Sequence, residues 1–393
     1  MSDETVISSI IFVCSVILLW AFNNHHSVQY NNYSYLSNAL LHGRLDIPNM
    51  PLYLEQVTFA GKTYMHFAPG PSVLLLPFIG AFGMGFDIAY LSYILGAAGC
   101  VVFYNILVRL EIGVLNTRIW LTALYGFGTV HFFLAALGNS WFLGHVSAAL
   151  FLLLAVMISL KKDSPHPWLN LFAAGFSFAF AVACRMPVLL AFPLFIAIIV
   201  FHRKSGFKGL LAFACGALIP GGLYMIYNYL RYGTVMDLGY YLTFAKDKPE
   251  ESGGPLQIKY IGYNLYSLFF LPPSWQGTFP YIYPSLNGLA VTFTTPAVFY
   301  ALKAKAPKYL LVGLWMAIIF TAIPFAMNYG NGMAQFGMRY SMDFLPLIMI
   351  LVSLGMAGMN DGKLSGLQKT LILLCIFVNG WGAVIWNMGL QKF

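Results

Sequence analysis

Five ionisable side chains fall within 23 positions of this chain: Arg44, Asp46, Glu55, Lys62 and His66. Only 9% of the residues are charged, and charges near lipid are costly and kept there mainly for function. A carboxylate in such a loop can take the proton of an attacking hydroxyl, which makes Glu55 and Asp46 the candidate bases. A guanidinium suits phosphate, because its planar fork donates two parallel hydrogen bonds. Arg185, in Cys184-Arg185-Met186-Pro187, and Arg339, in Phe336-Gly337-Met338-Arg339-Tyr340, each sit at the edge of an apolar run beside a helix breaker. They are the candidate phosphate ligands, with Lys62 and His66 able to reach the same group. The bland alternatives are a solvated loop acid and an arginine snorkelling to the interface. The scarcity of acids and the pairing of arginines weigh against them.

These residues need a scaffold, and the composition says which. Of 393 residues, 59% are hydrophobic and 17% aromatic. A soluble domain has roughly 45–50% apolar and about 25% charged residues, so an all-α, polytopic membrane helix bundle is expected. A spanning helix needs about 20 apolar residues. Eleven runs qualify or nearly so: Thr5–Phe22, Ile88–Leu110, Arg118–Gly138, Trp141–Leu160, Trp168–Cys184, Val188–Phe201, Leu210–Tyr229, Gly288–Leu302, Tyr309–Met327, Phe344–Met359 and Thr370–Met388. Residues 1–393 then form one membrane domain, with long outer loops at 23–87 and 230–286. Tyr33–His42 and Leu256–Leu271 carry apolar residues at helical spacing and read as helices lying on the membrane surface. Pro71–Gly85 is apolar but too short for a span and reads as interfacial or re-entrant.

Charge placement orients the bundle. With the N-terminus inside and Pro71–Gly85 not spanning, 12 of the 21 Lys and Arg residues fall in five short inside loops, as the positive-inside rule requires. If Pro71–Gly85 spanned, every later loop would flip. The net charge of +8 is thus a topological signal, and no nucleic-acid partner is expected. The acidic N-terminus, with no A-x-A site after the first run, predicts a retained span rather than a signal peptide.

Other chemistry is not visible. The five cysteines lie inside apolar runs without CxxC or Cys/His clustering and read as small hydrophobes. His131 and His145 are 14 positions apart, which is no helical ligand pair, and HExxH, GxGxxG and Walker motifs do not occur. No metal and no cofactor are expected. Asp-x-Asp, used by many soluble glycosyltransferases to hold a nucleotide sugar, is missing too. The aromatic residues of the outer loops read mainly as interface anchors, with a few able to stack on a sugar.

Several short motifs recur in an expected order: Leu41-His42-Gly43-Arg44-Leu45-Asp46; Gly61-Lys62-Thr63-Tyr64; Phe67-Ala68-Pro69-Gly70-Pro71; Arg185-Met186-Pro187; Tyr227-Asn228-Tyr229-Leu230-Arg231-Tyr232-Gly233; and Phe336-Gly337-Met338-Arg339-Tyr340. On these the chain resembles the GT-C superfamily of membrane glycosyltransferases, in the branch with protein O-mannosyltransferases and lipid A aminoarabinose transferase. The resemblance implies an inverting transfer on the outer face of a prokaryotic plasma membrane. The donor would be a polyprenyl-phosphate-linked sugar and the acceptor a glycan, lipid or protein, among membrane lipids. It implies a base in the first outer loop and donor contacts from Arg185, Arg339, Lys62, His66 and Tyr64. Many relatives carry an acidic pair just after the first span; here Asn31 and Asn32 stand there, and with Tyr340 they become acceptor or sugar contacts. The base role then falls to Glu55 or Asp46, and Glu55 is favoured because relatives with the Gly-Lys/Arg-x-Tyr stretch carry an acid shortly before it. A lipid-linked sugar flippase or transporter, and a non-catalytic assembly factor, are the rival readings.

Overall fold

The computed structural model describes residues 3–23, 28–162, 164–279 and 281–387. The chain opens with α1 (Asp3–Asn23), α2 (Asn32–Leu41), the hairpin β1 (Val57–Phe59) and β2 (Lys62–Tyr64), and α3 (Gly70–Phe82). It continues with α4 (Ile88–Arg109), α5 (Leu115–Phe127), α6 (Val130–Leu137), α7 (Ser140–Leu160), α8 (Pro167–Cys184), α9 (Phe192–Ala197) and α10 (Gly206–Tyr232). The second long loop contains α11 (Gly239–Asp247), α12 (Ile261–Phe269) and the short pair β3 (Ser274–Trp275) and β4 (Ile282–Tyr283). Then come α13 (Val291–Thr294), α14 (Lys308–Met327), α15 (Leu345–Ala357) and α16 (Gly366–Asn387).

Among the described residues, α1, α4, α7, α8, α10, α14 and α16 are each long and apolar enough to cross a membrane. The pair α5 and α6 passes the same test with a 59° bend. This is a multi-pass integral membrane helix bundle. The bend sits at Gly128-Thr129, where the Thr129 hydroxyl accepts from the His131 N–H and caps α6. The other three apolar runs are shorter or distorted. Met186–His202 is a 3-10 stretch, α9 and a π turn. Gly288–Leu302 contains α13 and a 3-10 stretch over Pro296–Lys303, and α15 has 13 residues. Proline supplies the reason: Pro187, Pro193, Pro296 and Pro346 lie at or near the starts of these pieces and cannot donate the backbone bond a continuing α-helix needs. Met388, the last residue of the final expected span, lies outside the described residues.

Pro71–Gly85 becomes α3 and a 3-10 turn at Gly83–Gly85, and 13 helical residues are too few to cross. The helix is held on α2: the Ser72 hydroxyl donates to the Tyr33 carbonyl, and Ser37 donates to the Ser72 carbonyl. Its first residue is pressed against the end of α8. A Cβ at Gly70 would lie 2.5 Å from the Cys184 sulfur and 2.7 Å from the Ala183 carbonyl oxygen. Gly70→Ala is therefore expected to destabilise the protein by about 1–3 kcal/mol through overpacking, read as a lowered unfolding temperature in detergent.

The loops rich in Lys and Arg adjoin at one end of the bundle. Val114 N–H donates to the Gly362 carbonyl, Arg109 meets the Met157 carbonyl, and the His202 ring contacts both the Tyr309 hydroxyl and the Leu160 carbonyl. A helix such as α7, with 21 residues, is about 30 Å long at 1.5 Å per residue. The two long loops gather across that distance, where α7 begins and α8 ends. One hydrophobic core links the helices, from Leu19 in α1 to Ala383 in α16.

Candidate active site

At the end away from the basic loops lies a cavity of about 730 Å³. Its walls come from the start of α7, the end of α8, α11, the end of α14 and the stretches 66–68 and 328–343. Its lining includes arginines gathered around Asp343 and Tyr340 and, joined to them through Tyr240, Glu55 with His66.

Helix α8 ends at Cys184 and leaves Arg185 in an extended conformation. Its guanidinium grips Asp343 with two bonds, Nε to Oδ1 at 3.0 Å and Nη2 to Oδ2 at 2.7 Å. Its third nitrogen, Nη1, donates to the Tyr240 hydroxyl at 3.2 Å. Asp343 is 2% exposed, and the His145 Nδ1 lies 3.2 Å from its Oδ1. Burial disfavours the Asp343 carboxylate, but the Arg185 and His145 contacts outweigh it and hold the acid ionised. Arg339 also lines the cavity. Arg185 and Arg339 sit 5.4 and 5.1 Å from the centre of the Tyr340 ring, so two residues 154 positions apart meet around one tyrosine. The Arg339 loop is braced: Arg339 N–H donates to the Gln335 side chain, and its Nη1 donates to the Met333 carbonyl. Among the described residues Arg339 has no carboxylate partner, whereas the charge of Arg185 is largely offset by Asp343.

Glu55 reaches the cavity with 46% of its side chain exposed, and its Oε2 lies 3.2 Å from Nε2 of the buried His66. Burial pulls His66 below the usual imidazole range, against the opposing pull of Glu55 and of Asp237 and Asp247. A neutral ring with its proton on Nε2 would donate to Glu55. Asp247 also lines the cavity and accepts from the Tyr329 hydroxyl at 2.9 Å. Among the described residues no group of three or more His, Cys, Asp or Glu side chains is placed to hold a metal.

The two long loops are clamped together by Arg231, at the end of α10. Its guanidinium donates to the Met65 carbonyl at 2.9 Å and to the Asn228 side chain at 2.8 Å. It lies 3.6 Å from Asp237 and 3.9 and 4.4 Å from the Tyr227 and Tyr232 ring centres. Asp237 in turn accepts from the Tyr224 hydroxyl and the Gly239 N–H. The Tyr227–Gly233 motif thus fixes the residue preceding His66.

Five of the residues singled out in the sequence line the cavity or anchor its base: Glu55, His66, Arg185, Arg339 and Tyr340. Asn32 is behind the wall, buried, and donates from Nδ2 to the Glu55 carbonyl at 2.9 Å. Asn31 is outside the lining, with its side-chain oxygen buried and unpartnered. Asp46 is drawn away by Arg44, 2.7 Å from it, and that bond holds its carboxyl below the usual range. Lys62 is exposed at the turn of the hairpin, and Tyr64 packs with Val57 and Tyr232. Neither Lys62 nor Tyr64 is among the residues that line the cavity. His66 sits beside Glu55, with its ring against Tyr240, whose hydroxyl accepts from Arg185.

Asp343, His145 and Asp247 are not among the site residues read from the sequence, and Tyr240 is there only as one of the outer-loop aromatics able to stack on a sugar. A signal existed for Asp343: it is a lone carboxylate four positions after Arg339, against the apolar run Phe344-Leu345, and such a group is a functional candidate by default. His145 offered none, because a histidine on an apolar helix is usually satisfied locally; its partner here is 198 positions away.

No protein-family model matches the chain, and no curated protein matches it in sequence. Among solved structures, the crystal structure of ArnT from Cupriavidus metallidurans bound to undecaprenyl phosphate is similar, with a TM-score of 0.54. The match covers 93% of this chain and 62% of that one, at 12% identity. The chain shares the fold of that structure. It spans under two thirds of the length of the ArnT chain, and at this identity the likeness extends to the fold alone.

Proposed function

We propose that this protein is a membrane glycosyltransferase that moves a sugar from a polyprenyl-phosphate-linked donor to a hydroxyl of a glycan, lipid or protein. Residues 1–393 act as one membrane unit, with the cavity on the outer face. The observation that carries the reading is the cavity itself, whose lining holds two guanidiniums around Tyr340 and an accessible carboxylate, Glu55. The undecaprenyl phosphate bound by the structurally similar ArnT supports this class of donor.

The chemistry follows from the walls. Glu55 takes the acceptor proton as its oxygen attacks the anomeric carbon. The bond from that carbon to the phosphate oxygen breaks, with inversion. The leaving polyprenyl phosphate gains negative charge, which Arg339 and the remaining N–H groups of Arg185 stabilise. The apolar rim, including Met186, Leu189 and Phe325, suits a prenyl chain.

The test is a transfer assay with purified protein and a panel of polyprenyl-phosphate sugars. Transfer or slow donor hydrolysis is expected with one of them; movement of intact donor across vesicles without either would identify a flippase instead. Orientation is tested separately. Thr58→Cys should react with an impermeant thiol reagent on intact cells and Lys204→Cys should not, because the basic loops belong inside. The reverse pattern would invert the arrangement.

A further inference from the structure

A second recess opens at the opposite, basic end of the bundle, remote from the cavity that carries the proposed transfer. It has a volume of about 360 Å³ and is lined by Lys162, Pro167, His202, Arg203, Lys204 and Ser205. These residues come from the end of α7, the start of α8 and the turn that leads into α10. The walls are fixed by His202, whose two ring nitrogens are both engaged, one with the Tyr309 hydroxyl at 2.8 Å and the other with the Leu160 carbonyl at 3.2 Å. His202 is therefore part of the frame. The free charges belong to Lys162, Arg203 and Lys204.

Among the described residues no carboxylate lines the recess; Asp163, next to Lys162 in sequence, lies outside them. Arg203 makes one long bond, Nη2 to the Pro167 carbonyl at 3.3 Å, and its Nη1 is buried with no hydrogen-bond partner. Ser205, the N-cap of α10, also lines the recess, and the start of a helix favours an anion. A solvated basic loop explains the sign of the charge but not a recess into which a guanidinium brings a buried nitrogen without a partner.

We infer that this recess binds a phosphate group. At the basic end of a membrane bundle, the chemistry fits the head group of an anionic phospholipid, and a soluble phosphate presents the same oxygens. Arg203 would rotate to pair its fork with two of them, with Lys162 and Lys204 alongside.

The experiment compares the protein in nanodiscs of phosphatidylcholine with and without phosphatidylglycerol, using native mass spectrometry to read retained lipid and thermal unfolding to read stabilisation. Arg203→Gln with Lys204→Gln should weaken phosphatidylglycerol retention by roughly 30-fold. Lys303→Gln with Lys305→Gln removes the same charge nearby and should leave retention unchanged. Unfolding temperatures matching wild type in pure phosphatidylcholine would show that both variants fold. Stabilisation by inorganic phosphate, lost in the first pair and without phosphatidylglycerol preference, would assign the site to soluble phosphate. Equal loss of retention in both pairs, or no response to either ligand, would overturn the site and leave only diffuse surface charge.

Discussion

Replacing Glu55 with Gln is expected to lower turnover by about 10²–10⁴-fold, the size of a general-base contribution, while donor binding stays close to wild type. The substitution keeps the shape and an oxygen that can accept from His66 Nε2, 3.2 Å away, so the site should stay assembled. What is lost is the oxygen that takes the proton, an interaction made only as the hydroxyl attacks, which lowers kcat rather than raising KM. The backbone under Glu55 is independently held: the Asn32 side chain grips its carbonyl. The control is Asp46→Asn. Asp46 is paired with Arg44 at 2.7 Å outside the cavity lining, and an exposed pair of this kind contributes little, so turnover should remain near wild type. Single-turnover rates with donor affinity measured separately would decide it. A dead Asp46→Asn beside an active Glu55→Gln moves the base to Asp46; full activity in both removes the first long loop from the chemistry.

The second large effect concerns the buried pair. Arg185→Met should destabilise the protein by about 3–5 kcal/mol, because it leaves the Asp343 carboxylate buried and uncompensated. Asp343 is 2% exposed and both of its oxygens bind the guanidinium. Adding Asp343→Leu should restore most of that stability, since replacing both partners by apolar groups is close to neutral. Recovery will be incomplete, because His145 loses its partner at 3.2 Å, at a cost of about 1–3 kcal/mol for a stranded buried group. Donor binding should stay lost in the double variant, whose cavity lacks the fork. Arg339→Gln should show the opposite pattern, weak donor binding at nearly unchanged stability, because no described carboxylate depends on it. Denaturation in detergent alongside donor titration separates the cases. An undiminished stability in Arg185→Met would show that the pair does not hold the wall together.

Local signals were strong where one residue carries its own reason. Scarce charge made Glu55, Arg185 and Arg339 visible, because an ionisable group near lipid needs a use. The same signal singled out Asp46 and Lys62, which with Tyr64 lie outside the cavity lining. Asp46 is answered by its neighbour Arg44, Lys62 is exposed at the hairpin turn, and Tyr64 packs with Val57 and Tyr232. His66 was assigned to phosphate on proximity in sequence, yet its ring lies against Tyr240 and Phe67 beside Glu55.

Composition and hydropathy by themselves determined that this chain is a membrane helix bundle, where most of its spans begin and end, and that Pro71–Gly85 is too short to cross. Those properties are additive along the chain: apolar length decides spanning, and prolines mark where helices stop. Tertiary structure alone decided the partners. The Asp343 contacts to Arg185 and His145 join residues 158 and 198 positions apart, and the Arg231 grip on Met65 spans 166. No periodicity or spacing encodes such pairings, because they arise only when helices pack and a buried charge must find its complement among whatever side chains that packing brings near.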